Sequence, residues 1–310
     1  MSLLNDLFTY RTLVHAVAGA AGSVVAMTTF FPLDTVRSRL QLEESREAKN
    51  TFSILVDLAK EEGFTTLYRG MVPVLESLCA SNFVYFYTFH GLKALGATSA
   101  HQNARRDLLL ASLAGVVNVL TTTPLWVVNT RLKMKGLGSR TGRGSTEHVA
   151  DQYSGLLDGL KKMGQQEGVA SLWNGTLPSL MLVSNPAIQF MTYEAIKRRL
   201  QALHGDQTLS ALIYFFVGAV AKAVATIITY PLQLVQTKLR HGHNYQDLPQ
   251  NAGTIKLTVY ILKKYGIIGL YKGMEAKLLQ TILTAALMFA AYEKIANFVF
   301  KVLLNHQKVS

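Results

Sequence analysis

The sequence is short of charge and almost without cysteine. Charged residues make up 16% of its 310 positions, whereas ordinary soluble domains carry about 25%. Its single cysteine, Cys79, excludes a disulfide scaffold. Hydrophobic residues make up 49% of the chain. That share excludes an intrinsically disordered protein, because so much apolar surface has to be buried.

Basic residues outnumber acidic ones by 31 to 19, which gives a net charge of +12. Such a chain suits either a membrane protein with basic loops or a nucleic-acid binder. Nearly all the charge lies between six apolar stretches of about the 20 residues that a membrane helix needs. This favours a membrane protein without a nucleic-acid partner over a soluble protein with buried helices, which is the alternative. The stretches span residues 12–33, 71–92, 107–128, 177–196, 209–235 and 279–304.

The segments between the apolar stretches also carry patterns. Apolar residues at 52, 55, 56 and 59 predict an amphipathic helix that lies on the surface or caps the bundle. Residues 136–152 are rich in Gly, Ser and Thr and predict a flexible insertion. Residues 1–10 contain an acidic residue and no basic one, so we expect no cleavable presequence.

Two motifs occur three times along the chain. The first begins at Pro32, Pro124 and Pro231, which are 92 and 107 residues apart. The second ends in glycine and covers residues 62–70, 167–175 and 265–273. Three copies of about 100 residues, each with two apolar stretches, indicate a repeat architecture. We place the repeats at residues 1–96, 97–205 and 206–310.

The paired motifs resemble those of the mitochondrial carrier family of solute transporters. Its pattern is Pro-x-acid-x-x-base-x-base followed by acid-Gly-x4-aromatic-base-Gly, and the first repeat matches it in full. The resemblance implies an all-α membrane protein with six transmembrane helices in three tandem two-helix repeats, pseudo-three-fold symmetry and short surface helices. It also implies a central cavity that opens alternately to each side. The protein would then be a monomeric transporter and not an enzyme.

Four stretches resemble the peroxisomal branch of that family more closely: residues 81–89, 124–132, 185–190 and 275–281. This implies an antiporter of the peroxisomal membrane that exchanges coenzyme A, FAD and NAD for the adenine nucleotides AMP and ADP. These molecules would be substrates, and no prosthetic group is expected. Membrane lipids and the import receptor for peroxisomal membrane proteins would be its partners.

Two other functions stay open. One is a mitochondrial inner-membrane carrier for another anion or nucleotide. The other is a non-transporting membrane scaffold whose basic loops bind lipid headgroups. The sequence shows no metal-ligand cluster, no phosphate-binding P-loop and no nucleophile with a base at useful spacing.

The prolines predict kinks in the first, third and fifth helices. In the family, an acid of one repeat then pairs with a base of the next and closes one end of the cavity. The acid positions here hold Asp34, Trp126 and Gln233, and the base positions hold Arg37, Asn129 and Gln236. The resemblance would face Asp34 with Asn129, Trp126 with Gln236, and Gln233 with Arg37. We therefore expect a gate without a complete ion pair between repeats, or Asp34 and Arg37 paired within one helix.

A second gate would fall on the even helices, where the family has aromatic-acid-x-x-base. The resemblance implies that Glu293 meets Lys93, that His90 meets Lys197, and that Glu194 meets Ala296. Only the first of these pairs is complete. The alternative is that these charges form ordinary surface pairs, which contribute under about 1 kcal/mol.

The resemblance also implies a substrate-binding level on the even helices. Counted from the glycine that ends the second motif, the seventh residue is Ser77, Leu182 or Gln280 in the three repeats. The next turns carry Ser81, Pro186 and Thr284, then Tyr85, Phe190 and Met288. Aromatic rings beside amides suit a stacked heterocycle such as adenine, although helix packing alone explains Phe190 and Met288 equally well. Leu182-Val183 departs from the glycine-aliphatic pair that is frequent in nucleotide carriers.

Two lysines complete the predicted substrate site. The ninth residue before the proline is Ser23, Gly115 or Lys222, so a cation replaces a small residue in the third repeat. An unpaired lysine in a membrane span is costly, and a phosphate group of the substrate would supply its partner. Lys277 lies near the end of an even helix, where its ammonium group either binds substrate or extends to the membrane interface.

Overall fold

The computed structural model describes residues 10–42, 50–95, 104–134, 153–204, 211–242, 245, 247–249 and 252–287. Across these residues the regular structure is helical. The helices are α1 (Tyr10–Leu42), α2 (Thr51–Glu62), α3 (Met71–Leu95), α4 (Ala104–Lys133), α5 (Leu156–Gln166), α6 (Thr176–Met181), α7 (Asn185–His204), α8 (Ala211–His241), α9 (Thr254–Leu270) and α10 (274–287).

The three motif prolines lie inside long helices, as the repeats predict. Pro32 is within α1, Pro124 within α4 and Pro231 within α8. Proline lacks an N–H and removes one backbone hydrogen bond, but its fixed φ is compatible with a helix. Each helix therefore continues beyond its proline for nine or ten residues, and this extension carries the predicted gate positions.

The even-numbered apolar stretches also form helices, with one interruption. The second is the single helix α3, whereas the fourth is divided into α6 and α7 by a 3-10 turn at Leu182–Ser184. Pro186 accounts for the break, because it cannot donate to the carbonyl of Leu182, and Asn185 donates there instead. The sixth stretch, 279–304, lies within the described residues only as far as 287.

Two described helices are long and apolar enough to cross a membrane, by length and composition: Arg106–Lys133 and Leu212–His241. They correspond to the third and fifth predicted spans. The six-span arrangement and its pseudo-three-fold symmetry stay predictions. The predicted insertion at 136–152 lies outside the described residues.

A short amphipathic helix packs beneath the proline extension of each long helix. In the first repeat, Ile54 and Leu58 of α2 are buried against Val36 and Leu40 of α1. The surface helix is thus confirmed, but its predicted face is partly wrong, since Phe52 and Val56 are exposed. In the other two repeats, α5 packs on α4 around Met163 and Val128, and α9 packs on α8 around Leu257 and Leu234.

Candidate functional site

The extensions beyond the prolines of α1, α4 and α8 meet at one end of the bundle, which we call the proline end. There the ammonium group of Lys133 donates to the carboxylate of Asp34, and both side chains are mostly buried. Asp34 also lies 3.8 Å from Arg37 Nη1 in its own helix. The prediction that no complete ion pair links two repeats at this end is therefore wrong. The partner of Asp34 is Lys133 and not Asn129.

Two other predicted gate positions do meet. Arg37 Nη2 donates to Gln233 Oε1 at 3.2 Å, which joins the first repeat to the third. The guanidinium group also lies 6.0 Å from the ring centre of Tyr230. Gln233 is held from its own helix, since its Nε2 donates to Thr229 Oγ1 at 3.1 Å. Arg37 therefore binds an amide of a neighbouring repeat without a second full charge.

Trp126 and Gln236 do not form the pair that the resemblance implied. Gln236 Nε2 donates to Ser179 Oγ at 2.7 Å. The guanidinium group of Arg240 lies 5.9 Å from the ring centre of Trp126, within the range of a cation–π contact. Asn129 is 1% exposed, and its Oδ1 has no hydrogen-bond partner among the described residues.

The structure reveals a third position of each repeat that the sequence analysis missed. Nine residues after the prolines stand Gln41, Lys133 and Arg240. Each binds the preceding repeat, counted cyclically: Gln41 Nε2 donates to Tyr230 Oη at 2.9 Å, Lys133 pairs with Asp34, and Arg240 Nη2 donates to Ser179 Oγ at 3.1 Å. Counting further from the proline would have found these three residues, because all of them are long and polar.

The glycine that ends the second motif allows the close approach of repeats at this level. Gly70 has a φ of +78°, and a Cβ there would lie 2.8 Å from Lys133 Cγ. A Cβ on Gly273 would lie 3.3 Å from Leu40 Cβ of the first repeat. Any other residue would be strained in this conformation and would push the neighbouring repeat away.

The second base of the proline motif forms a hydrogen bond within its own repeat. Arg39 Nη2 donates to Glu62 Oε2 at 2.9 Å, and Arg131 binds Glu167 through two nitrogens. In the third repeat Tyr265 occupies the acid position of the second motif, and Lys238 Nζ donates to the hydroxyl of another tyrosine, Tyr245, at 2.9 Å.

The nearby Lys264 lies on the surface helix α9 of the same repeat. A hydrogen bond of 3.0 Å to Tyr260 raises the pKa of this exposed lysine. In the third repeat, tyrosine hydroxyls thus accept hydrogen bonds from Lys238 and Lys264.

At the opposite end, the described ion pairs differ from the predicted ones. Lys93 Nζ lies 3.7 Å from Asp107 Oδ1, and both side chains are more than 40% exposed. Lys197 Nζ lies 3.6 Å from Glu194 Oε1 within one helix. Glu293, the expected partner of Lys93, lies outside the described residues. The predicted gate at this end therefore stays a prediction.

On α3, the predicted substrate residues differ in how free their side chains are to bind a ligand. Ser77 is fully buried, and its hydroxyl donates to the carbonyl of Pro73 at 2.8 Å, so it has little capacity for a ligand. Ser81 Oγ lies 3.0 Å from Asn118 Nδ2 of α4, a residue that the sequence analysis missed. Tyr85 stacks on Phe89 with ring centres 6.3 Å apart.

The positions of the second repeat surround the 3-10 turn. Leu182 begins this turn, and Val183 packs against Gly115, where a Cβ would lie 2.8 Å from Val183 Cγ1. Pro186 is exposed. Val183 is thus occupied in packing between helices.

Basic residues from all three repeats act on one another at the proline end and in the helices above it. Lys277 Nζ lies 3.4 Å from Gln280 Oε1, and Thr284 is half-buried one turn further along α10. Arg37, Lys133 and Lys222 all act electrostatically on Lys277, together with Asp34. We call Arg37, Lys133, Lys222 and Lys277 the basic cluster. Asp34 opposes the effect of these cations on Lys277.

Lys222 lines a cavity of about 270 Å³ between α7, α8 and α10, which we call the α8 cavity. Within the described part of the chain, no acid forms an ion pair with Lys222. The lining residues are Gln189, Tyr214, Phe215, Gly218, Ala219, Lys222, Thr281, Ile282 and Ala285.

Comparison with known proteins gives consistent matches over the whole chain. A protein of Mus musculus, "Peroxisomal membrane protein PMP34", is 51% identical over 97% of both chains. A "Peroxisomal nicotinamide adenine dinucleotide carrier" of Arabidopsis thaliana is 32% identical, covering 92% of this chain and 95% of its own. A "Nicotinamide adenine dinucleotide transporter 2, mitochondrial" of the same plant is 31% identical, covering 95% of this chain and 83% of its own.

The family model described as "Mitochondrial carrier protein" matches three times, at residues 8–99, 100–203 and 207–303. These matches cover nearly the whole sequence, and they agree with the three pairs of motifs. The chain therefore belongs to the mitochondrial carrier family and is a transporter, not an enzyme.

Proposed function

We propose that the protein is an antiporter of the peroxisomal membrane that exchanges coenzyme A, FAD and NAD for AMP or ADP by alternating access. Two of the relatives described above are named as peroxisomal, and two are named as carriers of nicotinamide adenine dinucleotide. The resemblance to the peroxisomal branch supports coenzyme A, FAD and the adenine nucleotides. As a transporter the protein would act as a monomer in contact with membrane lipids, after delivery by the import receptor for peroxisomal membrane proteins.

The basic cluster carries the proposal of a phosphate-bearing substrate. Four cations lie in the third repeat and at the proline end. Asp34 pairs with Lys133 and Arg37, whereas Lys222 and Lys277 have no ion pair among the described residues. Unpaired charges at membrane depth are costly and typically mark a substrate pathway. Phosphate groups carry the complementary charge and accept hydrogen bonds from ammonium and guanidinium groups. A nucleotide would therefore complete the site.

Alternating access is supported by the contacts at the proline end. Three repeats meet there through Lys133, Arg37 and Arg240, whose partners lie on neighbouring repeats. At the opposite end the Lys93–Asp107 pair is exposed, which is consistent with a conformation closed at the proline end. Substrate would then drive exchange by binding the occluded intermediate more tightly than either open state. We propose six transmembrane helices with pseudo-three-fold symmetry for this cycle.

Exchange in proteoliposomes tests the function directly. Vesicles containing the purified protein and loaded with AMP should take up labelled NAD, FAD or coenzyme A, and empty vesicles should not. Uptake that does not depend on internal AMP would contradict antiport. Failure to transport any nucleotide would contradict the substrate class and would favour the scaffold.

Localisation separates the peroxisomal from the mitochondrial alternative, which is supported by the mitochondrial name of one relative. The tagged full-length protein should coincide with a peroxisomal membrane marker in cells. Coincidence with a mitochondrial inner-membrane marker would contradict the proposed location while leaving nucleotide exchange intact.

A further inference from the structure

The α8 cavity lies where the third repeat differs from the second at two facing positions. In the second repeat, Gly115 and Val183 fill the equivalent space, since a Cβ on Gly115 would lie 2.8 Å from Val183 Cγ1. Counting from the prolines and from the second-motif glycines, Lys222 replaces Gly115 and Thr281 replaces Val183. A Cβ on Gly218, one turn from Lys222, would meet nothing within 4 Å. Among the described residues, this part of the helix interface is open in the third repeat, whereas Gly115 and Val183 pack closely in the second.

The walls of the cavity combine aromatic surface with few polar groups. Tyr214 and Phe215 supply rings, and Gln189 supplies a side-chain amide. The hydroxyl of Thr281 already donates to the carbonyl of Lys277 at 2.7 Å, so the side-chain polar groups left for a ligand are those of Gln189, Tyr214 and Lys222. Flat aromatic surface binds the π-face of a nucleobase, and an amide can bind its polar edge.

The size of the cavity limits what enters it. Sites that enclose a whole drug-sized molecule measure roughly 300–1,000 Å³. At about 270 Å³, the α8 cavity is below that range and accommodates one unit of a dinucleotide. Lys222 is among its lining residues, so a phosphate group attached to that unit would lie beside the cation.

We infer that the α8 cavity is a binding subsite for the heterocyclic base of a nucleotide, with the adjacent phosphate on Lys222. This rests on the proposed function only in that the substrate is a nucleotide. The base contributes affinity through Tyr214 and Gln189, and the phosphate contributes through the ammonium group. A sugar phosphate without a base should therefore bind more weakly than AMP, and filling the cavity should not change its affinity.

Thermal stabilisation of the purified full-length protein by AMP and by ribose 5-phosphate tests this subsite. Wild-type protein should be stabilised at lower concentrations of AMP than of ribose 5-phosphate. Gly218→Leu fills the cavity and should weaken AMP binding about tenfold, the scale of one lost base-stacking contact. Binding of ribose 5-phosphate should be unchanged. Gly91→Leu is the matched control, because a Cβ on this helical glycine also meets nothing within 4 Å.

Two further variants separate the contributions of base and phosphate. Tyr214→Ala should weaken AMP binding like Gly218→Leu, and Tyr214→Phe should restore it because the ring is kept. Lys222→Met should weaken AMP and ribose 5-phosphate alike. If Gly218→Leu binds AMP as the wild type does, or if the wild type does not prefer AMP over ribose 5-phosphate, the subsite is overturned. Nucleotide exchange by wild-type proteoliposomes would still support the transport function in that case.

Discussion

Asp34 of the first repeat and Lys133 of the second form a mostly buried ion pair across the proline end. Lys133 stands nine residues after Pro124 and four residues after Asn129, which occupies the first base position of the family motif. Its flexible four-carbon stem crosses to the neighbouring helix beside Gly70, whose missing side chain leaves space for it. A residue outside the motif thus supplies the charge that Asn129 lacks.

We expect this pair to act as one unit in transport. Lys133→Glu and Asp34→Lys should each slow nucleotide exchange about tenfold, because each leaves like charges facing each other. The double variant should recover part of the rate. Exchange measured at equal protein density in proteoliposomes gives the coupling. Lys133→Gln, which copies the residue of the first repeat, is the mild control, and absence of coupling would remove the pair from the mechanism.

Lys222→Ala should impair transport much more than folding. The ammonium group has no ion-pair partner among the described residues, so its loss removes substrate affinity without breaking a structural contact. We expect exchange of nucleotides to fall at least about tenfold, while the thermal stability of the substrate-free protein is kept. Lys222→Met preserves most of the stem and serves as the companion variant. Normal exchange by a stably inserted Lys222→Ala protein would contradict a substrate role.

Trp126→Asp should slow exchange by stabilising the closed proline end. The guanidinium group of Arg240 already lies over the Trp126 ring, so a carboxylate there would gain an ion pair between repeats. Opening of this end would then limit turnover. A second change at Gln236 is unnecessary, since that amide is bound to Ser179. Trp126→Asn controls for loss of the ring.

Cysteine cross-linking at the same two positions should verify that residues 126 and 240 come close together. An exchange rate for Trp126→Asp equal to that of Trp126→Asn would show that opening of the proline end does not limit transport.

At the opposite end, Lys93 should exchange partners during the cycle. In the present conformation it lies near Asp107, whereas the family pattern pairs it with Glu293 when this end closes. Lys93→Glu and Glu293→Lys should each lower exchange, and their combination should restore part of it. Asp107→Asn is the control and should have little effect, because the pair it breaks is exposed. Equal losses in the single and double variants would argue against the second gate.

The sequence predicted the helical repeats well because their causes are local. A proline with a fixed φ, a glycine with positive φ and an apolar period are all visible in the chain itself. The contact between Arg37 and Gln233 was also predicted correctly. Both residues stand at motif positions, and these positions lie at the same depth in the bundle.

The partners of Asp34, Trp126 and Gln236 could not be predicted by counting within the motif. Counting gives the level and the face of a helix, but long side chains such as Lys133 and Arg240 reach a neighbour one turn away. Likewise, the availability of Ser77 depends on its rotamer, since its hydroxyl is bound to the carbonyl of Pro73. The α8 cavity depends on the packing of three helices, and no motif describes it.

The three contacts made nine residues after the prolines differ in charge but respond alike to ions in solution. Gln41 and Tyr230 form a neutral hydrogen bond, Lys133 and Asp34 form an ion pair, and Arg240 binds a hydroxyl. Salt weakens attraction between exposed charges, but it screens a mostly buried pair much less and hardly affects a neutral hydrogen bond. Raising the ionic strength should therefore leave all three contacts largely intact, and the proline end should stay closed at salt concentrations that separate exposed pairs such as Lys93 and Asp107.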